Sequence, residues 1–406
     1  MKKYLNFILI IFLIGSSSSG WSQEEKSPEK KKVSKILKRS ARIISGLKIS
    51  SVGKPSFSKQ KQKAIRHLRR VVKFSNSKAQ KNYLGAFIKC LKDEKFEDFP
   101  KTEFISGTDF DLLIKYDKTN SSFSAIALKT LIEENKNSGK LFDQIRVETG
   151  KGILGRNVRF FPGSNVIKIS EVLYPEDMKK EKMVLNSASE DSQMYPGVIL
   201  LKNKIEKDFE DKIKPLSLQI FKKKISAGMN AGMLLRNIFL HHVAHYTIPF
   251  SIKAEEEKRD FTGAGLKELF YDAEEIRADL NYLTLISLLD EKELLKEGLK
   301  EEVLYLFILQ KLAKMIGEEG LRENYPSTTI INSLYRGGGI ATDKGGKKLV
   351  VNIDVLVRNI KTLETSFEDI FKNGNHIECK TFFNKNSEIP ENLKKLLKIS
   401  VPKTTE

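Results

Sequence analysis

Residues 238–250 read IFLHHVAHYTIPF and hold three of the five histidines in the chain, His241, His242 and His245. Residues at i and i+4 share one helix face, so His241 and His245 can present two imidazole nitrogens to a single ion. A third ligand must come from elsewhere. EEIRAD at 274–279 supplies candidates, placing Glu274, Glu275 and Asp279 within two helical turns, with Glu275 and Asp279 on a common face. One carboxylate as ligand, with others bonded to the histidines' remaining ring nitrogens, is what a stable zinc site requires. Taken singly, a histidine among Phe239, Leu240, Val243 and Ala244 reads as a core residue, and EEIRAD reads as a solvated face. Three of five histidines within five residues, followed by an acidic helix, favour the metal reading.

Working outward, the C-terminal half carries helical patterning. MNAGMLLRNIFLHHVAHYTI (229–248) predicts a helix ending before Pro249, and LKELFYDAEEIRADLNYLTLISLL (266–289) predicts another with one apolar face. Residues 291–317 predict one or two helices, GIATDKGGKKLVVNI a small hairpin, and VLVRNIKTLETSFEDIFKNG a final long helix stopped at Gly374. Upstream, AQKNYLGAFIKCLK (79–92) has helical spacing, and SFSAIALKTLIEENKNSGKLFDQI (122–145) reads as two helices broken at Asn137–Gly139. Residues 146–170 read as strands and turns. Gly150, Gly152 and Gly155 there form a GxGxxG, but no helix opens after it, so a nucleotide site is discarded. The fold class expected is mainly α with an α+β portion.

The composition, 40% hydrophobic and 30% charged, is that of a globular protein, but the net charge of +19 is unevenly placed. Residues 23–73 carry 17 Lys or Arg against three Glu, a net +14, and residues 74–406 together carry only +3. VSKILKRSARIISGLKI (33–49) could form a basic amphipathic helix, and residues 23–75 read as a basic, flexible arm. Residues 26–73 would suit an anionic membrane or an envelope polymer; nucleic acid is disfavoured, since the arm has little aromatic interleaving. Lys2 and Lys3, an apolar run from Tyr4 to Ile14, and small residues Gly20 and Ser22 predict an export signal over 1–22 and a secreted or periplasmic protein. Cys90 and Cys379 are the two cysteines, so any metal site must use His and carboxylates; their pairing is not decided by sequence.

The HHVAH and EEIRAD pair resembles the dipeptidyl peptidase III-like zinc metallopeptidases, especially their shorter bacterial members. In that family an HExxH or HExxxH helix is followed by a helix with EExxAE or EExxAD. GLKELFYDAEEIRADL (265–280) is similar to the approach to the family's glutamate helix, and GGGIATDKGGKKLVVNIDVLVRNIKTL (337–363) to its closing hairpin and helix. LYPEDMKKE (173–181) resembles a segment upstream of the zinc helix. The resemblance covers roughly residues 170–395. It implies a mixed α/β lobe over 76–220, a helical zinc lobe over 221–395 and a tail over 396–406. It also implies one zinc ion on His241, His245 and Glu275, with Glu274 and Asp279 orienting the histidines, and short peptides bound in a cleft between lobes.

The resemblance breaks at the catalytic position. The family's glutamate, which deprotonates the attacking water, is replaced here by His242. An imidazole lacks a carboxylate's second oxygen, and its protonated form is disfavoured beside a dication. The family's later histidine is also missing from GLRENYPSTTIINSLYRGGG (320–339), where Tyr325 takes its place, and no glycine follows His245. The expectation is a zinc-binding homologue with lost or strongly reduced peptidase activity. The alternatives are an active zinc peptidase using His242 or another base, and an envelope-associated binding protein acting through its basic arm.

Overall fold

The computed structural model describes residues 28–47, 52, 54–96, 108–117, 120–135, 158–160, 166–173, 198–245, 247–249, 265–291, 295–316, 325–373 and 375–397. They form a mainly helical protein with a small mixed sheet, divided into two compact units. Among the described residues three helices come first: α1 (Pro28–Ser45), α2 (Pro55–Phe74) and α3 (Lys78–Asp93). They cover a four-stranded sheet of β1 (Phe110–Asp117), β2 (Ser122–Asn135), β4 (Val166–Val172) and β5 (Val198–Leu201), in the order β1-β2-β4-β5. The first three strands pair antiparallel, and β4 with β5 parallel.

This first unit corrects two expectations. Residues 28–47 and 54–74, read as part of a flexible arm, are helices whose apolar faces enter the core. Leu37, Ala41 and Ile44 of α1 and Phe57, Ala64, Leu68 and Val71 of α2 are buried against Leu84, Phe87, Leu112, Ile114 and Phe123. The amphipathic helix expected within 33–49 is part of α1, but its apolar face turns into the protein's own core, and in α2 the density of lysine and arginine hid a similar stripe. SFSAIALKTLI, read as helix, is strand β2. Its residues are buried on both sheet faces, Ala125 and Ala127 toward the helices, Ile126 and Leu128 in a second cluster with Leu113, Val172, Ile199 and Leu201. A strand buried on both faces loses the alternation that would announce it. Residues 136–145, the rest of that predicted helix pair, lie outside the described residues, as do Gly150, Gly152, Gly155 and residues 174–181.

Two groups of contacts hold the sheet. Along the outer side of β1, the Tyr83 hydroxyl donates to the Ile114 carbonyl at 2.8 Å and accepts from its N–H at 3.2 Å, while Gln80 Nε2 donates to the Phe110 carbonyl at 2.8 Å. Inside, Lys168 of β4 pairs with Asp111 of β1 at 3.1 Å, both fully buried. Thr108 accepts from the Lys168 ammonium at 2.9 Å and donates to Asp111 at 2.6 Å. Burial pushes the Asp111 carboxyl up, against the downward pull of Lys168.

The second unit contains β3 (Val158–Phe160) and the chain from Ile205 onward. After α4 (Lys202–Asp208) and a π-helical turn come α5 (Lys214–Ile220), α6 (Lys223–Gly228) and α7 (Ala231–His245). The predicted helix over 229–248 stops at His245, because β6 (Thr247–Pro249) leaves it to pair antiparallel with β3. Then follow α8 (Phe270–Glu291), α9 (Leu299–Met315), α10 (Tyr325–Arg336), a hairpin of β7 (Ile340–Thr342) and β8 (Leu349–Val351), and α11 (Ile353–Asn373). Beyond the predicted last helix lie two more, α12 (His376–Lys385) and α13 (Glu391–Leu397). Helix α8 is central, packing on α7, α9, α10 and α11. Gly337 and Gly339 bring the hairpin against α11: a Cβ on Gly337 would lie 2.3 Å from Asn359, and one on Gly339 2.9 Å from the Leu356 backbone. Cys90 and Cys379 are both buried.

Two variants test the packing of the first unit. Leu68→Ala lowers stability to urea by about 2–5 kcal/mol, as a core deletion does, where a mobile arm would show no change. Lys168→Met alone costs about 3–5 kcal/mol because Asp111 is left buried without its cation, and Asp111→Asn in the same chain restores most of the loss.

Candidate metal centre

Helix α7 reaches the site with one side embedded. Leu235, Phe239, Leu240 and Val243 are buried, and the Asn237 amide donates to the Val303 carbonyl of α9 at 2.9 Å, fixing the helix's rotation. That rotation turns His241 and His245 toward α8. There Ala273, Ile276 and Leu280 fill the core while Glu274, Glu275 and Asp279 meet the two imidazoles.

The two histidines are held alike. His241 Nδ1 lies 2.8 Å from Asp279 Oδ1, and His245 Nδ1 lies 3.1 Å from Glu274 Oε1. A carboxylate accepts, so each Nδ1 carries a proton and each Nε2 keeps its lone pair in the neutral ring. The two Nε2 atoms stand 3.0 Å apart, and the Glu275 oxygens are 3.3 Å from that of His241 and 3.2 Å from that of His245. Among the described residues, His241, His245 and Glu275 form the one cluster whose ligand atoms all lie within 4.8 Å of one another. The Glu275 side chain keeps 40% of its exposure, so the cluster is open to solvent on that side.

Two lone-pair nitrogens facing each other and a carboxylate are stable together only with positive charge among them, a proton or a metal ion. Burial opposes a charge on His245, but Glu274 and Glu275 outweigh it and push that imidazole up to about 9. Burial would raise Glu275, yet His241 and His245 hold it far below the carboxylate range. The geometry also fits an ion. Tetrahedral bonds of about 2.0–2.1 Å space donor atoms by roughly 3.3 Å, close to the three separations found. Two imidazoles and a carboxylate are a donor set for zinc.

Behind the carboxylates stand two cations that the motif reading did not include. Arg277 grips Glu274 from the same helix, its Nε 2.5 Å from Oε2 and its Nη2 on Oε1. Lys311 of α9 pairs with the second oxygen of Asp279. All four groups are at most 4% exposed. Burial would raise both carboxyls, but Arg277 holds Glu274 low and Lys311 holds Asp279 low. Arg277 sits inside EEIRAD and could have been read from its i+3 spacing to Glu274. The signal for Lys311 was fainter, a lysine within the apolar run VLYLFILQKLAKM. Tyr282, edge-on to His241 at 6.3 Å, closes the apolar side, and burial pushes its phenol well above the ordinary range.

His242 stands next to this cluster rather than in it. Its ring is half-buried, with centroids 5.3 Å from His241 and 5.9 Å from His245. Burial, then the two neighbouring imidazoles, hold it well below its ordinary value. Tyr325 opens α10. His376 pairs with Glu268 at 2.9 Å on the surface.

No protein-family model matches the chain, and no curated protein matches it. Among solved structures, it is similar to DPP III from Caldithrix abyssi, with a TM-score of 0.57, 14% identity, and coverage of 85% of this chain and 69% of that one. It is also similar to dipeptidyl-peptidase III from Corallococcus sp. strain EGB, with a TM-score of 0.55, 14% identity, and coverage of 84% and 66%. The chain thus spans about two thirds of the length of either, and at this identity the likeness is one of fold.

Lys311→Met tests the charge arrangement. It leaves Asp279 buried with one partner fewer and costs about 3–5 kcal/mol in metal-free protein. Adding Asp279→Asn to Lys311→Met recovers most of that loss in the same urea titration.

Proposed function

We propose that this protein binds one zinc ion through His241, His245 and Glu275 and uses the site to capture short peptides with little or no hydrolysis. The observation that carries the reading is the convergence of two Nε2 atoms and one carboxylate within 3.3 Å, each imidazole backed by its own carboxylate. The fold likeness to two dipeptidyl peptidase III structures supports a peptidase ancestry. A bound zinc ion is a Lewis acid that polarises a carbonyl oxygen. The remaining roles fall to the chain. Asp279 and Glu274 fix the tautomers and ring planes of the ligating histidines, and Arg277 and Lys311 fix the carboxylates in turn.

At the position after the first histidine the chain carries no carboxylate to take a proton from water. His242 occupies that place, presenting one ring nitrogen where a glutamate presents two oxygens. A positioned general base contributes roughly 10²–10⁴-fold to rate, so its loss alone brings hydrolysis down by about that factor. The export pattern at 1–22 places this binding outside the cytoplasm in our reading.

Metal analysis of purified protein tests the ligand set. About one zinc per chain is expected, and Glu275→Ala should carry none while keeping its helical circular dichroism. Peptide turnover by the wild-type chain is expected at background, with His242→Glu raising it. Brisk zinc-dependent turnover by the wild type, abolished by Glu275→Ala, would refute the loss of activity and leave an active peptidase.

A further inference from the structure

We propose that α1 and α2 form a surface that docks on an anionic lipid bilayer. From Lys30 to Lys92 the chain contains 20 Lys or Arg and no Asp or Glu. The structure orders part of that charge into two ridges. Helix α1 exposes Lys31, Lys35, Lys38 and Arg42, and α2 exposes Lys59, Lys63, Arg66, Arg70 and Lys73. Their steps of four and three keep each set within about 80° of arc on its helix, at 100° per residue. With a rise of 1.5 Å per residue, the ridges run about 16 Å and about 21 Å.

Such ridges are costly to the helices that carry them. Like charges at i,i+3 and i,i+4 destabilise a helix, and an ordinary solvated face mixes signs to avoid it. Both helices send their apolar faces into the same cluster, so both ridges face away from it. His67 is buried on α2, and burial followed by Arg39, Arg70, Lys63 and Arg66 lowers its imidazole. Arg39, beside the α1 ridge, and three cations of the α2 ridge thus contribute to one positive field.

The rest of the surface decides what that field attracts. The apolar faces of α1 and α2 are committed to the protein's own core, so neither helix can insert among acyl chains. Contact must be flat and by charge alone. Phe57 is buried and Phe74 half-buried, leaving no well-exposed ring on α2 for bases to stack on, and α1 has no aromatic residue. This disfavours single-stranded nucleic acid. An anionic bilayer asks only for cations spread over a surface within a Debye length, about 8 Å at physiological salt.

The test is co-sedimentation of the full chain with vesicles of phosphatidylcholine alone or with 30 mole per cent phosphatidylglycerol, roughly the anionic density at which basic surfaces bind. Binding should need phosphatidylglycerol and vanish at about 1 M salt, where the Debye length is about 3 Å. Each cation near the surface contributes about fivefold to partitioning, so Lys63→Gln, Arg66→Gln and Arg70→Gln together should lower it about 100-fold. The same triple variant should keep its helicity and zinc content. Lys31→Gln with Lys35→Gln and Lys38→Gln gives an independent second variant on α1, with the same loss expected. Equal sedimentation with both vesicles, or no loss in either variant, overturns the proposal. So does duplex DNA, matched in phosphate, if it strips the protein from the vesicles with more than tenfold preference.

Discussion

Ionised side chains can be buried among helices only when each meets its opposite, and the helical unit is organised around that constraint. Glu274 and Asp279 lie on one helix with almost no exposure, and every group they touch is a donor: His245 and Arg277 for one, His241 and Lys311 for the other. Three helices contribute, so the pairing fixes α7, α8 and α9 relative to one another in rotation and in height. A quarter-turn error in any of them would leave an uncompensated charge, a cost of several kcal/mol. The apolar packing of Phe239, Ile276 and Phe307 fills the space that the charges have already defined.

The same pairs make the site's shape independent of its occupant. Arg277 and Lys311 neutralise the two orienting carboxylates, so the histidines stay aimed whether or not an ion is present. His242 stands at the rim of that arrangement, and the groups that hold His241 and His245 do not depend on it.

The site was the most legible part of the sequence, because its residues lie at short, fixed spacings on two amphipathic helices. His241 with His245, and Glu275 with Asp279, need only helical periodicity to be placed on one face, while the separate role of Glu274 was implied by the family resemblance. Lys311 comes from a third helix, and a partner fixed by tertiary packing leaves no local spacing to read. The fold failed to show in two places for different reasons. In β2 the residues Ala125 to Leu128 are apolar on both faces, so the period of two is erased. In α1 the amphipathic pattern was readable but not that Leu37, Ala41 and Ile44 enter the protein's own core, and in α2 the basic residues hid the stripe of Phe57, Ala64, Leu68 and Val71. The hairpin was readable because its apolar residues alternate on either side of Lys344–Gly346.

The outer side of β1 has a consequence beyond its own unit. At Ile114 both main-chain groups that a further strand would use are taken by one phenol, and at Phe110 the carbonyl is taken by an amide. A neighbouring molecule approaching that edge finds its template already spent at the central position. It would have to displace Tyr83, whose ring is buried, before forming a first bond. The β1 edge is thereby guarded against strand addition, and a chain with long apolar strands is kept from polymerising along it.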